Sequence, residues 1–323
     1  MAQPNVFVTR DIPKAGLDLL RDECKLRVWS QPLPPSIADL RQAVQGCDGI
    51  LALLTERIDD TVLDAAGPQL RVVSNFAVGV DNIDVAAATH RGIPVGHTPG
   101  VLTETTADLA WALMLTAARR IVEGDQYVHQ GRWQTWEPQL LLGPDIYGAT
   151  LGVVGFGRIG QAVARRARGF DMRVLYTNRS VAADAHGAVH VNLHTLLRES
   201  DFVTIHTPLT PETRHLFNDH TLAMMKRGAI LVNTARGPVV DPHALFNALH
   251  GGHLAAAALD VTEPEPIRPD DPLLTLPNCI VVPHIGSASI ATRNRMAEMA
   301  ARNLLAGVRG ERLPHCVNPE VYQ

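Results

Sequence analysis

Arg236, Glu265 and His284 each follow an apolar run and sit where a strand gives way to a loop. Arg236 follows Val232-Asn-Thr-Ala235. Glu265 lies in Thr262-Glu-Pro-Glu-Pro266. His284 follows Val281-Val-Pro283. Together these types fit the reduction of a 2-keto acid. That reaction needs a cation to hold the carboxylate and polarise the carbonyl, and the planar fork of Arg236 matches a carboxylate. It needs a proton donor at the carbonyl oxygen, and imidazole has the pKa range for it. A carboxylate beside the imidazole raises its pKa and holds the imidazolium, a role for Glu265. One His in a chain with 14 carries little information by itself. Three groups at the ends of parallel strands carry more, because such strands end along one crevice.

The hydride must come from a cofactor, and Leu151-Gly-Val-Val-Gly-Phe-Gly-Arg-Ile-Gly160 reads as its seat. Leu151 to Val154 form a buried strand, and Gln161 to Arg168 continue in helical period. Between them stand Gly155, Gly157 and Gly160 in G-x-G-x-x-G spacing, with Phe156, Arg158 and Ile159 in the same cofactor-binding turn. Gly155 permits the tight turn. Gly157 lets a pyrophosphate approach the backbone, and Gly160 lets helix and strand pack closely. The helix N-terminus offers N–H groups and partial positive charge to the phosphates. At the end of the next strand, where an NAD-binding unit usually carries an acid, stand Asn178, Arg179 and Ser180. Asn178 cannot repel a 2′-phosphate, and Arg179 and Ser180 can bind one. The expected cofactor is NADPH (NADP+), with NADH a weaker substitute.

The positioning elements follow from the pattern of apolar runs. Strands alternate with helices from Asn5 to His97, as right-handed βαβ units require. Ser36 is placed to cap one helix and Pro13 to begin another. Thr103 to Gln130 reads as one long helix crossing between bodies, followed by a loop with Trp133 and Trp136. A second βαβ series starts at the glycine turn and ends with the strand Cys279 to Val282. A final helix, Asn294 to Val308, returns to the first domain. The fold class is α/β, with two doubly wound parallel-sheet domains: a Rossmann domain inserted into a flavodoxin-like one. The expected boundaries are 1–99 with 290–323 for the substrate domain, and 100–289 for the nucleotide domain. The helix and loop at about 103–147 belong to the latter.

Bulk properties exclude other classes. The 323 residues are 46% hydrophobic and 19% charged, an ordinary globular balance. A net charge of −4 suggests neither a nucleic-acid groove nor an anionic-membrane surface. The apolar runs, Leu254 to Leu259 among them, are too short for a membrane span. The stretch from Met1 to Val8 lacks the features of a signal peptide. Cys24, Cys47, Cys279 and Cys316 have no metal-ligand spacing and read as buried small apolar residues. No metal is expected, and the compartment expected is the cytoplasm.

The chain resembles the D-isomer-specific 2-hydroxyacid dehydrogenases nearly end to end. The resemblance lies in Val78-Gly-Val-Asp81, Gly155 to Gly160, Asn233-Thr-Ala-Arg-Gly237, Asp260-Val-Thr-Glu-Pro-Glu-Pro266 and Pro283-His-Ile-Gly286. It implies that Arg236 binds substrate, that His284 is the acid/base, and that Glu265 supports His284. It also implies that backbone N–H groups at Val78 and Gly79 bind the substrate carboxylate. Thr207, Pro208, Thr234, Ala235, Asp260 and Gly286 match cofactor-contact positions, Asp260 near the nicotinamide amide. Within the family the chain is most similar to glyoxylate/hydroxypyruvate reductases, through Gly131-Arg-Trp-Gln-Thr-Trp136-Glu-Pro138 and the acid-free Asn178-Arg-Ser180. That implies reduction of glyoxylate or hydroxypyruvate to glycolate or D-glycerate. It also implies a homodimer in which Trp136 reaches the partner's site and Leu54 lines the pocket. Two alternatives stand beside it. One is a reductase of a larger 2-keto acid such as a ketogluconate. The other is a nucleotide-gated scaffold like the C-terminal-binding corepressors, which keep the same catalytic residues.

Overall fold

A computed structural model describes residues 3–323; Met1 and Ala2, the start of the N-terminal stretch read above, lie outside the described residues. The chain divides into two compact units, Met1–Leu102 with Ser287–Gln323, and Thr103–Gly286.

The first unit opens with Asn5–Val8 (β1), Lys14–Arg21 (α1), Lys25–Val28 (β2), Ile37–Ala43 (α2), Gly49–Ala52 (β3) and Asp60–Ala66 (α3). Val72–Asn75 (β4), Val85–His90 (α4) and Val95–Gly96 (β5) follow. The strands pair in parallel in the order β2-β1-β3-β4-β5. Every residue of β3 and β4 is buried, as a sheet covered on both faces demands. Caps decide where the helices start. Ser36 accepts the Asp39 N–H at α2, Asp59 those of Thr61 and Val62 at α3, and Asp84 that of Ala87 at α4. Pro13 is the residue before α1 rather than its first helical residue, because its ψ of 137° is extended.

The second unit begins with Thr103–Ala118 (α5) and Ile121–His129 (α6). The single long helix expected here is broken at Arg120, whose φ of 50° is left-handed. The return loop explains the break. A Cβ on Gly143 would lie 1.9 Å from the Ala118 carbonyl oxygen, so this loop presses on the end of α5. The Arg120 guanidinium then grips Glu123 with two 2.8 Å hydrogen bonds. Nor does α5 leave its unit: its buried face lies in the core that Phe156, Val163 and Ala258 share.

Thr150–Val154 (β6), Arg158–Ala167 (α7), Arg173–Thr177 (β7), Val189–His190 (β8), Leu193–Glu199 (α8) and Phe202–Ile205 (β9) come next. The unit closes with Asp219–Met224 (α9), Ile230–Asn233 (β10), Pro242–His250 (α10), Ala256–Leu259 (β11) and Cys279–Val281 (β12). All seven strands run parallel in the order β12-β11-β10-β9-β6-β7-β8, a Rossmann arrangement extended by one strand. Strand order reverses between β6 and β9, so the crevice at their carboxyl ends is the place for a ligand.

The last helix, Ile290–Val308 (α11), starts a turn before the expected Asn294 because Ser289 caps it at the Thr292 N–H. It packs in the first unit. A Cβ on Gly16 of α1 would lie 2.6 Å from the Ala297 carbonyl oxygen. Cys24 and Cys47 are buried, whereas Cys279 and Cys316 are only half-buried, which corrects the expectation for those two. All four are free thiols, and burial pushes Cys24 up to about 11 and Cys279 up to about 12. Among the described residues no helix is long and apolar enough to cross a membrane, and no cluster of His, Cys, Asp and Glu could hold a metal.

Candidate active site

The glycine turn after β6 is shaped by three different constraints. Gly155 has φ +90°, and a Cβ there would lie 2.7 Å from the His206 carbonyl carbon. A Cβ on Gly160 would lie 2.2 Å from the Gly155 oxygen, so α7 is pressed onto the turn. Gly157 is extended and faces open space, with nothing within 4 Å of its would-be Cβ. No protein atom requires glycine there; a molecule lying against the backbone would. Gly157 is also the N-cap of α7 and offers no side-chain cap, so its first-turn N–H groups are available to an anion. The helix starts at Arg158, earlier than the sequence pattern suggests, and Arg158 and Ile159 are already helical. Phe156 is 2% exposed and stacks on Tyr176 at 3.9 Å, so it presents only main chain to a ligand.

Asn178, Arg179 and Ser180 are exposed beyond β7. Asn178 links the two turns: its Oδ1 lies 3.4 Å from the Phe156 N–H and its Nδ2 donates to the Ser180 carbonyl at 3.1 Å. The Thr210 hydroxyl first, and Arg179 more weakly, hold the Glu212 carboxyl below the usual range. Beyond β9, the Thr207 hydroxyl is buried without a hydrogen-bond partner. Pro208 beside it is exposed, its carbonyl accepting from the Thr213 hydroxyl at 2.7 Å. These features fit a nicotinamide dinucleotide: an uncapped helix end, an open face at Gly157, an orphaned hydroxyl and no acid beyond β7.

Past β10, Asn233 organises the next loop. Its Oδ1 accepts the Ala235 N–H at 3.0 Å, and its Nδ2 donates to the Arg236 carbonyl at 2.9 Å. Thr234 is buried. The Arg236 Nη1 donates to the Ala235 carbonyl at 2.8 Å. A Cβ on Gly237 would lie 1.9 Å from the Thr262 oxygen, so the Arg236 loop touches the loop bearing Glu265 backbone to backbone. His284 Nδ1 lies 2.5 Å from Glu265 Oε1. A carboxylate can only accept, so Nδ1 carries the hydrogen and Nε2 is the nitrogen left for a substrate. His284 has φ +53°, an uncommon conformation for a side chain with Cβ.

Asp260 explains how that conformation is held. It is 2% exposed, and its carboxylate accepts the Ile285 N–H at 2.6 Å and the Gly286 N–H at 2.8 Å. Burial pushes its carboxyl up, against the pull of those amides and of His284. The carboxylate thus lies beneath the His284 turn, with each oxygen accepting one amide.

Two further features escaped the sequence reading. His206 lies between the hydroxyls of Thr204, at 2.9 Å, and Thr234, at 3.4 Å, and desolvation pushes its pKa down to about 3. Its position at a strand end was the available signal. In the first unit, Leu54 lies just past β3, and Val78 and Gly79 just past β4. Their loops are bound together by Asn82, which donates to the Leu53 and Glu56 carbonyls at 2.8 and 3.0 Å. Asn75 donates to the Gly79 carbonyl at 2.9 Å and to Asn82 Oδ1 at 3.0 Å. Trp136 is 78% exposed, so within one chain it packs in no core.

Residues 111–286 match the family described as D-isomer specific 2-hydroxyacid dehydrogenase, NAD binding domain. The chain is 54% identical over 323 residues to a glyoxylate reductase of Korarchaeum cryptofilum, covering 99% of this chain and 97% of that one. A solved structure from Thermus thermophilus superposes with a TM-score of 0.92 at 51% identity, covering 97% of this chain and 99% of the other. An NADPH-dependent glyoxylate/hydroxypyruvate reductase of Sinorhizobium meliloti, solved with NADP and malonate, gives a TM-score of 0.86 at 32% identity over 98% of both chains.

Proposed function

This chain belongs to the D-isomer-specific 2-hydroxyacid dehydrogenases, and on that premise we propose that it reduces glyoxylate or hydroxypyruvate with NADPH. The products are glycolate and D-glycerate. The observation that carries the reading is the 2.5 Å contact between His284 and Glu265, on the sheet whose β6 leads into the glycine turn. The nicotinamide dinucleotide, held along Gly155 to Gly160, supplies the hydride when bound. The protein supplies everything else. Arg236 pairs with the substrate carboxylate and draws charge toward the carbonyl oxygen. His284 gives its Nε2 proton to that oxygen as it becomes an alcohol, and regains one from solvent. Glu265 keeps the imidazole oriented and favours its charged form before transfer. The amides of Val78 and Gly79 receive the carboxylate, and Leu54 limits the space beside it.

Arg179 and Ser180 beyond an acid-free β7 support NADPH over NADH. Arg179→Ala is expected to raise KM for NADPH about 10-fold, on the scale of one lost charge-assisted contact, and to leave KM for NADH little changed. Trp136 supports a homodimer: a tryptophan this exposed, on a segment where Trp133, Leu142 and Tyr147 are exposed too, suits an interface. There it would close the partner's pocket, and the protein would act in the cytoplasm. The test is kcat/KM for glyoxylate, hydroxypyruvate and a ketogluconate with each cofactor. The reading expects the small acids with NADPH to rank first. Ketogluconate ranking first would shift the substrate class, and tight NADPH binding without turnover of any 2-keto acid would favour a scaffold.

A further inference from the structure

The loop that carries Glu265 holds a second acid, Glu263, which faces away from His284. Its carboxylate binds the Arg214 guanidinium through one oxygen. The other oxygen lies 2.7 Å from Nε2 of His215. Arg214 and His215 belong to the segment after β9, whereas Glu263 follows β11. His215 also reaches the loop after β10, where its N–H donates to the Pro238 carbonyl at 2.8 Å. Two residues on, Phe217 pairs with the same loop: its N–H donates to Val239, and its carbonyl accepts from Asp241. Asp241 Oδ2 stands 3.9 Å from His215 Nδ1. His215 therefore touches the loops of both Arg236 and Glu265. It does so at φ +49°, a left-handed conformation that persists only where surrounding contacts hold it.

We propose that Glu263, with Arg214 and His215, is a brace that positions Glu265 against His284 and keeps the Arg236 loop in register with it. The inference rests on the reading of Glu265 and His284 given above. The three are positioning residues, acting through Glu265 and the Arg236 loop and not on the reacting atoms. Partly exposed ion pairs contribute little to stability in isolation. This cluster joins three strand-end loops, so its effect is on where the loops stand. Angstrom-scale displacement of a proton donor is enough to slow a reaction severely.

The experiment compares pH profiles of kcat/KM for glyoxylate in the wild type, E263Q, H215N, E265Q and the double variant E263Q/E265Q. Asn tolerates a left-handed φ but is too short to reach Glu263, so H215N cuts the brace while keeping the backbone and the Glu263 charge. The charged groups around His284 are Asp260, constant throughout, and Glu265, constant except in E265Q and the double variant. E265Q is expected to move the alkaline limb to lower pH, since the imidazolium loses its partner. E263Q and H215N are expected to move it the same way by less, lowering kcat about 10-fold with KM for NADPH unchanged, within the roughly 10²-fold that misplacement can cost. The double variant is expected to match E265Q. A limb unmoved in E263Q and H215N while E265Q shifts it overturns the brace. So does a shift in E263Q alone, which would be a direct effect of its charge. A limb unmoved in E265Q overturns the Glu265–His284 reading itself, and the brace with it.

Discussion

The two sheets share a winding rule but treat their switch points differently. In the first unit order reverses between β1 and β3, where Thr9 and Leu53 follow the strands. The carboxylate of Glu56, 3% exposed, fills that place. It accepts the Thr9 hydroxyl, the Leu53 N–H at 2.9 Å and the Thr55 hydroxyl at 2.5 Å. In the second unit order reverses between β6 and β9, where Gly155 and His206 follow the strands. There the Thr207 hydroxyl has no partner, and Gly157 faces open space. One crevice is closed by the chain's own polar groups. The other keeps them for a ligand. Buried polar groups are normally paired, so an orphan at a switch point marks a binding place more sharply than topology alone.

The largest expected effect comes from the open end. His284→Ala should lower kcat by about 10²–10⁴-fold, the usual share of a general acid, while NADPH affinity measured by fluorescence titration stays near that of the wild type. Comparable losses in both would mean that His284 serves binding and not proton transfer. Next come two glycines separated by one residue. Gly155→Ala should cost about 1–2 kcal/mol for the left-handed backbone alone, with more for the collision at His206, and lower the Tm. Gly157→Ala, at an N-cap with open space around it, should lower the Tm far less and raise KM for NADPH. Equal thermal losses in both would remove the argument that only Gly157 is kept for a ligand.

Glu56→Gln and Thr207→Val test the contrast directly. A glutamine at 56 turns an N–H toward donors that the carboxylate now satisfies, at a cost of about 1–3 kcal/mol by chemical denaturation. Cofactor affinity should not change. Valine at 207 removes an unpaired hydroxyl, so stability should hold or rise while NADPH binding weakens. The reverse pattern would mean that the two switch points are not opposites. An effect confined to acid pH concerns His206. Its folded pKa of about 3 lies below the unfolded value of 6.5. The unfolded chain thus binds the extra proton between those values, and stability falls as pH drops through that window. His206→Gln should flatten that part of the Tm-against-pH curve; an unaltered slope would show that His206 is not held neutral.

Much of this was legible in residue types. The glycine spacing announced the turn after β6, and the alternation of apolar runs announced both sheets. Arg236, Glu265 and His284 stood out because few side chains can hold a carboxylate or donate a proton near neutral pH. Other features were not legible. Nothing in Ala118-Arg-Arg-Ile121 announces a helix break, because its cause is Gly143, remote in sequence, pressing on the Ala118 carbonyl. Phe156 sits inside the glycine motif, yet its ring belongs to the core beside Tyr176. Of the two acids in Glu263-Pro-Glu265, composition cannot say which faces His284; the resemblance pointed to Glu265, and the fold puts Glu263 on Arg214 and His215.

The sequence by itself determined the periodicities and the chemistry on offer. Apolar runs four to six residues long make buried strands, a Cβ-free residue permits an otherwise forbidden turn, and an imidazole left in water titrates near neutrality. These are properties of single residues and near neighbours. Tertiary structure decided which polar groups found partners. Asp260 holds the His284 turn, Glu56 seals one crevice and Thr207 is left open in another, because each outcome depends on atoms brought together across strands remote in sequence. Hydrogen bonds act over about 3 Å, and no local pattern specifies which distant donor will arrive within that reach.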